Sequence, residues 1–215
     1  MNLRRRLAIC LGIIVVCAAL NIASPIVIAK QRTLQPGEYT MLFDDTRSRT
    51  VTLTKQPKSM LAEVTVDGDV VDSFLIDPST AFPAKGRAGL GPLLPYQPER
   101  RTYPLFDTTS GQDVPMDYLG PGNVRGVETY KYTAALSNDC VRTVDVERRT
   151  GRILDEVWDC PPEQWVLAEE TKAAAVDAAR HDVAWLRGLQ VMAVLTRFIA
   201  AAAFIVGLVA YARRR

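Results

Sequence analysis

The sequence predicts an α+β membrane protein in which an antiparallel β-rich extracytoplasmic domain lies between two transmembrane helices. Three observations predict this class. Long apolar segments lie near both ends of the 215-residue chain. Short runs of alternating apolar and polar residues, separated by turn residues, fill the region between them, as in antiparallel sheets. The second apolar segment follows an amphipathic stretch without a helix breaker, so the second transmembrane helix is expected to continue a long extracytoplasmic helix.

The charged residues are distributed unevenly along the chain. All 24 acidic residues lie in the central region together with 17 of the 26 lysines and arginines, whereas both ends carry only basic residues. Arginine triplets beside apolar segments fit the positive-inside rule better than nucleic-acid binding. We therefore expect a two-pass protein of the plasma membrane with both termini cytoplasmic, an extracytoplasmic central domain and no nucleic-acid partner.

The first apolar segment is predicted to be a transmembrane helix at residues 7–29, after a basic cytoplasmic end at residues 1–6. It carries no charged residue, and it is longer than the apolar core of a signal peptide. Cleavage remains an alternative, because Ala23 and Ala29 suit a cleavage site and the segment contains Asn21 and Pro25.

Residues 30–160 are predicted to form the extracytoplasmic β domain. Asp67-Gly68 lies between two β-rich runs and predicts a hairpin. Six prolines between residues 77 and 104 exclude helix interiors and central strands, so this part is predicted to be a long loop. Strands are expected at residues 38–43, 49–55, 60–66, 70–76, 102–106, 114–119, 124–135, 141–147 and 152–158.

The four cysteines fall into two classes. Cys10 and Cys17 lie in the first apolar segment and are expected to pack as small apolar residues. Cys140 and Cys160 are the two cysteines of the central region, and in an exported domain such a pair predicts a disulfide. It would join the open end of a hairpin whose turn places Gly151 at a positive φ angle. Two free thiols are the alternative.

The C-terminal part is predicted to be one long helix that begins at Pro161, since proline is tolerated at the first helical position. It comprises an amphipathic helix at residues 161–187, a transmembrane helix at 188–212 and a cytoplasmic basic end at 213–215. Arg197 interrupts the apolar segment as an intramembrane or interfacial charge. It either snorkels to the outer interface, which we favour, or faces the first helix.

The sequence predicts no catalytic residue, no metal site and no cofactor. His181 is the one histidine, and it has no neighbouring ligands of the kind that zinc requires. Residues 86–91 lack the Gly-Lys-Ser/Thr ending of a phosphate loop. Asp107 to Gly111 (DTTSG) are interpreted as a turn at the end of a strand.

Several short motifs resemble a known family. They comprise residues 101–107 (RTYPLFD), 126–132 (GVETYKY), 142–146 (RTVDV) and 150–153 (TGRI), with Gly89, Leu90, Pro115, Tyr118 and Gly120 between or before them. This region resembles the two-pass envelope membrane proteins of mycobacteria and corynebacteria that form the PorA-like porin family. The resemblance implies a β-rich exported domain between two spans and, for some members, a link to lipoglycan maturation. Strands that are charged on one face and tethered by helical spans do not fit a membrane barrel.

The leading hypothesis is a non-enzymatic envelope protein that binds or presents a lipid or lipid-linked glycan, or scaffolds a membrane complex. Its expected partners are the membrane, a lipid or lipoglycan, and another membrane protein. The alternatives are an extracytoplasmic hydrolase or transferase with a carboxylate pair, and a purely structural subunit of a larger complex. The predicted contact surface lies in the proline-rich loop, whose apolar side chains precede arginines suited to a phosphate. It comprises Leu90, Leu93, Leu94, Tyr96, Arg100, Arg101 and Tyr103.

Overall fold

The computed structural model describes residues 3–44 and 46–213 and confirms the α+β class. Two compact units are present. One is formed by the N-terminal helix and the C-terminal part of the second helix, from residue 184 onward. The other contains residues 32–183 and holds the strands.

The helical unit is built from two apolar helices. Helix α1 spans Leu3–Gln31 and helix α2 spans Glu169–Ala212, and both are long and apolar enough to cross a membrane. Many of their large apolar side chains are exposed, including Ile22 and Phe198. The two helices touch at polar and small residues: the Asn21 amide donates to the Thr196 hydroxyl over 2.7 Å.

The first sheet is an antiparallel meander of four strands. Strand β1 spans Gly37–Leu42, β2 Ser48–Lys55, β3 Met60–Val66 and β4 Asp69–Ile76, in the spatial order β1-β2-β3-β4. Asp67 and Gly68 have φ angles of 52° and 94°, which the two-residue turn of a hairpin requires. The hairpin predicted from Asp-Gly is therefore confirmed.

The second sheet is an antiparallel meander of six strands, in the order β10-β9-β8-β7-β6-β5. A short 3₁₀ turn at Ser137–Asp139 precedes β8. The strands are β5 Tyr103–Asp107, β6 Gln112–Val124, β7 Val127–Ala135, β8 Val141–Glu147, β9 Ile153–Cys160 and β10 Glu163–Val166.

The two sheets share one apolar core. Buried residues of the first sheet, such as Leu53 and Ile76, join buried residues of the second, such as Met116 and Val146, in a single cluster. The alternation of apolar residues along each strand produces this arrangement, because every second side chain points to the same face. The result is a sandwich of two sheets with the core between them.

The beginning of α2 packs on the second sheet through a smaller apolar cluster of Leu154, Val176 and Ala179. The register between β8 and β9 shifts beside Val146. This bulge lets Ile153 join the inter-sheet core while Leu154 contacts the helix. A salt bridge of 3.0 Å between Lys172 and Asp155 adds to this contact.

Two sequence predictions are wrong in the second sheet. Residues 124–135 are not one strand, because Arg125 and Gly126 adopt φ angles of 48° and 83° and form a tight turn. The Asn123 side chain supports this turn by accepting from the Gly126 amide over 2.8 Å. The strand predicted at 114–119 extends instead to Val124, past a register shift between Tyr118 and Gly120.

The predicted helix start at Pro161 is also wrong. Glu163–Val166 form β10, which pairs with β9, and α2 begins at Glu169. The chain stays extended because the Leu167 and Ala168 amides donate to carbonyl groups of Glu156 and Leu42. Pro161 and Pro162 occupy the turn between β9 and β10 rather than a first helical turn.

The proline-rich loop, residues 77–102, is irregular as predicted, but it packs into the sandwich. Leu90 forms a parallel bridge with Leu105 of β5, and its side chain is fully buried. A Cβ at Gly89 would lie 2.5 Å from the backbone nitrogen of Phe106, so the loop approaches the sheet too closely for any other residue there. The loop therefore closes one part of the core.

Candidate functional site

A cleft of about 420 Å³ lies between the two sheets and is the candidate site. We call it the inter-sheet cleft. Its walls combine aromatic, aliphatic and charged side chains from both sheets and from the proline-rich loop. The lining residues are Phe43, Arg47, Ser48, Arg49, Val64, Val66, Val71, Asp72, Gly91, Pro92, Leu105, Phe106, Asp107, Thr108, Thr109, Leu136, Ser137, Cys140, Arg142, Trp158, Cys160 and Trp165.

Two arginines of the lining share one buried carboxylate. Arg49 donates to both oxygens of Glu156 over 2.7 and 2.5 Å, and Arg142 Nε donates to Glu156 Oε1 over 2.8 Å. Trp158 Nε1 donates to the same oxygen over 2.8 Å. Burial alone raises the pKa of Glu156, but the charges of Arg142 and Arg49 and their hydrogen bonds lower it to about 2. The carboxylate is therefore ionised near neutral pH.

These charges occupy inward-facing strand positions. Arg49 alternates in phase with buried Val51 and Leu53 along β2, and Arg142 alternates in phase with buried Val144 along β8. Glu156 of β9 lies opposite Val144 in the sheet register. Alternation therefore directs these charged side chains toward the same side as the core residues.

Aromatic rings surround the arginines. The Arg47 guanidinium lies 4.1 Å from the ring centre of Trp165, and that of Arg142 lies 5.4 Å from Trp158. The two indole rings are 5.8 Å apart. Such stacking offers an apolar surface beside cationic groups.

Another lining residue of the cleft, Asp72, belongs to a second charged pair. Asp72 forms a salt bridge of 2.7 Å with Arg87, whose guanidinium lies between Phe74 and Phe106 at 3.7 and 4.1 Å from the ring centres. A Cβ at Gly91 would lie 2.4 Å from the Phe74 ring. The glycine thus allows the proline-rich loop to lie directly on this stacked arrangement.

Asp107 ends strand β5 and also lines the cleft. Its Oδ1 accepts from the Thr109 amide over 2.9 Å, and its Oδ2 accepts from the Ser110 hydroxyl and from the amide and hydroxyl of Ser137. Burial raises its pKa, but the hydrogen bonds from Ser137, Thr109 and Ser110 lower it to about 2. The strand-end turn predicted at residues 107–111 is confirmed.

The carboxylates of the cleft do not have opposed environments, which the hydrolase or transferase alternative requires. Asp72 is paired with an arginine, and Asp107 and Glu156 are surrounded by donors that lower their pKa to about 2. Within residues 3–44 and 46–213, no three His, Cys, Asp or Glu side chains are grouped as metal ligands would be.

The predicted disulfide between Cys140 and Cys160 is confirmed. It joins the residue before β8 to the last residue of β9, and both cysteines line the inter-sheet cleft. The disulfide that was predicted to join the open end of the hairpin is thus also part of the candidate site.

The structure separates the seven residues of the predicted contact surface. Leu90, Leu94 and Tyr103 are buried in the inter-sheet core, and Leu93 packs against it. Burial removes the first three from any exposed surface, because the proline-rich loop uses them to cover the sandwich. Tyr96 is partly buried, and burial raises its pKa.

The two arginines of that surface are exposed. Arg100 stacks on Tyr130 with its guanidinium 5.3 Å from the ring centre, and Arg101 lies 4.9 Å from the ring centre of Tyr103. None of the seven residues of the predicted contact surface lines the inter-sheet cleft, although their loop neighbours Gly91 and Pro92 do. The role of the two arginines in binding stays a prediction.

Arg197 contacts the first helix. Its Nε donates to Asn21 Oδ1 over 3.1 Å, while its side chain remains exposed. Of the two placements weighed from the sequence, facing the first helix is therefore the one in which the structure finds a partner.

The family comparison concerns the part of the chain that builds most of the second sheet. Residues 76–159 match the family model Porin PorA. The match confirms the resemblance to PorA-like porins and includes Arg142, Glu156 and Trp158 of the cleft. It ends before β10 and begins after most of the first sheet. No curated protein matches the chain.

The match and the two apolar helices together indicate a membrane protein of the cell envelope. Five cleft residues were not predicted from the sequence as site residues: Arg47, Arg49, Arg142, Trp158 and Trp165. One signal was present: Arg49 and Arg142 stand in phase with core positions of their strands, where a solvated charge is not expected.

Proposed function

We propose that this envelope membrane protein binds a lipid or a lipid-linked glycan through its β domain, with the apolar part of the ligand in the inter-sheet cleft. The observation that supports the proposal is the cleft itself, whose volume of about 420 Å³ falls within the range of ligand pockets. Its lining carries the rings of Phe43, Phe106, Trp158 and Trp165. Water forms few favourable interactions with such apolar walls. An apolar chain, in contrast, is removed from water when it enters the cleft, and this burial is favourable.

A pore formed by the strands is not the function that this geometry favours. Strands of a membrane barrel turn their apolar side outward to lipid. Here the apolar sides of both sheets face each other and share a buried core. Binding between the sheets uses the space that the core leaves open.

The proposal includes a two-pass topology with both termini cytoplasmic and the β domain, residues 30–160, outside. The Cys140–Cys160 disulfide supports an oxidising compartment for this domain. The basic residues at both chain ends support the cytoplasmic placement of the termini. A lipid-binding domain tethered by two transmembrane helices would remain attached to a membrane, which is where lipid ligands are found.

The test is mass spectrometry of lipids retained by the full-length protein after extraction in mild detergent. Val71 lines the cleft, is 46% exposed and lies next to Val70, which is 58% exposed and does not line it. Val71→Phe should therefore reduce the retained lipid by about 10-fold, since the larger ring narrows the cleft. Val70→Phe is the matched control and should retain as much as the unchanged protein. Equal retention by both variants, or no retained lipid or glycolipid in the unchanged protein, contradicts the proposal.

The topology has a separate test. In intact cells, an impermeant maleimide should label Cys140 and Cys160 only after reduction, because the disulfide otherwise protects both. Labelling that requires permeabilised cells would place the domain on the cytoplasmic side.

A further inference from the structure

Two buried guanidiniums at the wall of the inter-sheet cleft form salt bridges with one and the same carboxylate. Arg49 and Arg142 share the single carboxylate of Glu156, and their exposed side-chain fractions are 7% and 2%. Two guanidiniums on one carboxylate leave one positive charge without a salt-bridge partner of its own, in a place where water is largely excluded. Such a charge is costly unless a partner neutralises it.

The other charges of the lining do not supply that partner. Arg47 forms a salt bridge with Glu163, and Asp72 forms one with Arg87. Asp107 is ionised, but it accepts from neutral donors of residues 109, 110 and 137, and among the described residues its carboxylate forms no salt bridge with Arg49 or Arg142. Within residues 3–44 and 46–213, Arg49 Nε is buried without a hydrogen-bond partner.

The lowered pKa of Arg142 reflects its burial and the sharing of one carboxylate by two guanidiniums. Burial lowers its pKa, Glu156 raises it, and the neighbouring charge of Arg49 lowers it again, so the net direction is downward. A second anion close to the two guanidiniums would favour their charged forms and would stabilise the pair. Guanidinium groups also bind carboxylate and phosphate oxygens with two parallel hydrogen bonds.

We infer that the inter-sheet cleft takes an anionic amphiphile, with one carboxylate or phosphate group against Arg49 and Arg142 and the hydrocarbon part against the aromatic lining. This inference rests on the proposed function and specifies the chemical class of its ligand. The hydrocarbon part contacts Phe106, Trp158 and Trp165, which line the same cleft. Neither part suffices alone, because the apolar walls contribute the burial and the arginines select the charge.

The experiment uses the full-length protein in nanodiscs of phosphatidylcholine, which carries no net charge. The probes are oleate, oleyl alcohol, a lysophosphatidate and inorganic phosphate, and the signal is the emission of Trp158 and Trp165. Trp185→Phe removes the remaining tryptophan, which lies outside the lining. Empty nanodiscs titrated in parallel give the free concentration of each amphiphile.

Oleate and lysophosphatidate should each bind at least about 10-fold more tightly than oleyl alcohol, the factor that corresponds to about 1.4 kcal/mol. Inorganic phosphate should leave the emission unchanged. Val71→Phe should weaken the binding of both anionic amphiphiles by about 10-fold, while Val70→Phe should not. Arg49→Gln leaves one arginine for Glu156 and should reduce the preference for oleate over oleyl alcohol to about 3-fold or less.

Each contrary outcome has a distinct meaning. Equal affinities for oleate and oleyl alcohol, both sensitive to Val71→Phe, overturn the anionic class but leave lipid binding intact. Phosphate binding as tight as that of the lysophosphatidate shows a site for a free anion and overturns the amphiphile. If no probe changes the emission, the inference is wrong, and the lipids retained after extraction decide the proposed function independently.

Discussion

Arg49 of β2 and Glu156 of β9 form a buried ion pair that connects the two sheets, with 2.5 Å between Nη2 and Oε2. The strands that carry them belong to different sheets, so the pair spans the sandwich. Arg142 approaches the same carboxylate from β8. The carboxylate of β9 thus binds charged groups from two other strands, β2 and β8, at the wall of the inter-sheet cleft.

Glu156→Gln should destabilise the β domain strongly. The change leaves two buried guanidiniums without a counter-charge, and the loss of one partner of a buried ion pair costs about 3–5 kcal/mol. The melting temperature, followed by tryptophan emission in mild detergent, should fall by roughly 10 °C. Glu128→Gln removes the partner of Arg148 from an exposed pair and should change the melting temperature by no more than a few degrees. Equal shifts in melting temperature for the two variants would show that the buried ion pairs of Glu156 do not stabilise the fold more than an exposed pair does.

Alternation along the strands was sufficient to predict much of the β domain. The strands at residues 60–66 and 141–147 have the predicted bounds, and the cysteines at either end of a predicted hairpin form their disulfide. These features depend on neighbouring residues, which a sequence displays directly. The Arg125-Gly126 turn was not predicted, because arginine is uncommon at a positive φ angle.

Other features depend on which distant segments meet, and the sequence does not display them. Strand β10 forms where a proline pair suggests a helix, because pairing with β9 and a bridge between Phe43 and Leu167 determine its conformation. The cleft arises from the spacing of two sheets. In the sequence, its charged residues stood out only as arginines in phase with core positions. That pattern does not show where in the fold these residues meet.

Stability should decline as the pH falls from about 4 toward about 2. The folded-state pKa of Asp107 is lowered from 3.8 to about 2, so the unfolded chain binds more protons within this window. The contribution of Asp107 is therefore present above its unfolded pKa and is lost as the pH approaches the folded value. Glu156, lowered from 4.5 to about 2, acts in the same direction.

Asp107→Asn should therefore reduce stability near neutral pH and flatten the acid dependence. The measurement is the melting temperature at a series of pH values for both proteins. Asp69→Asn, at the exposed start of β4, is the control and should keep the acid dependence of the unchanged protein. An acid dependence that is as steep in Asp107→Asn as in the unchanged protein would contradict the role given to its hydrogen bonds.

Removal of the disulfide should cost about 3 kcal/mol, because it closes a loop of 20 residues in the unfolded chain. Cys140→Ala combined with Cys160→Ala tests this by the shift in melting temperature. The same pair of changes at Cys10 and Cys17, which are free thiols, serves as the control and should have a much smaller effect on the β domain. If the unchanged protein melts at the same temperature with and without reductant, the disulfide does not stabilise the fold.

Gly151→Ala should be more damaging than Gly68→Ala. Both glycines have positive φ angles, 72° and 94°, so both changes carry the cost of about 1–2 kcal/mol for a left-handed conformation. Only at Gly151 would the added Cβ lie 2.2 Å from the carbonyl oxygen of Pro95, whereas Gly68 faces open space. The difference in melting temperature between the variants therefore measures the contact of the proline-rich loop with the β8–β9 turn. Equal shifts would mean that the loop is readily displaced.

Gly207→Cys should form a disulfide with the native Cys10. A Cβ at position 207 would lie 3.8 Å from Cys10 Cβ, which is the usual separation in disulfides. Mild oxidation of the detergent-extracted protein, on a Cys17→Ala background, should protect both thiols from alkylation, as read from the intact mass before and after reduction. Gly188→Cys is the matched control on the same helix, since no atom lies within 4 Å of its added Cβ, and its thiol should remain open to alkylation. Alkylation of both thiols in Gly207→Cys would show that α1 and the end of α2 do not pack together as described.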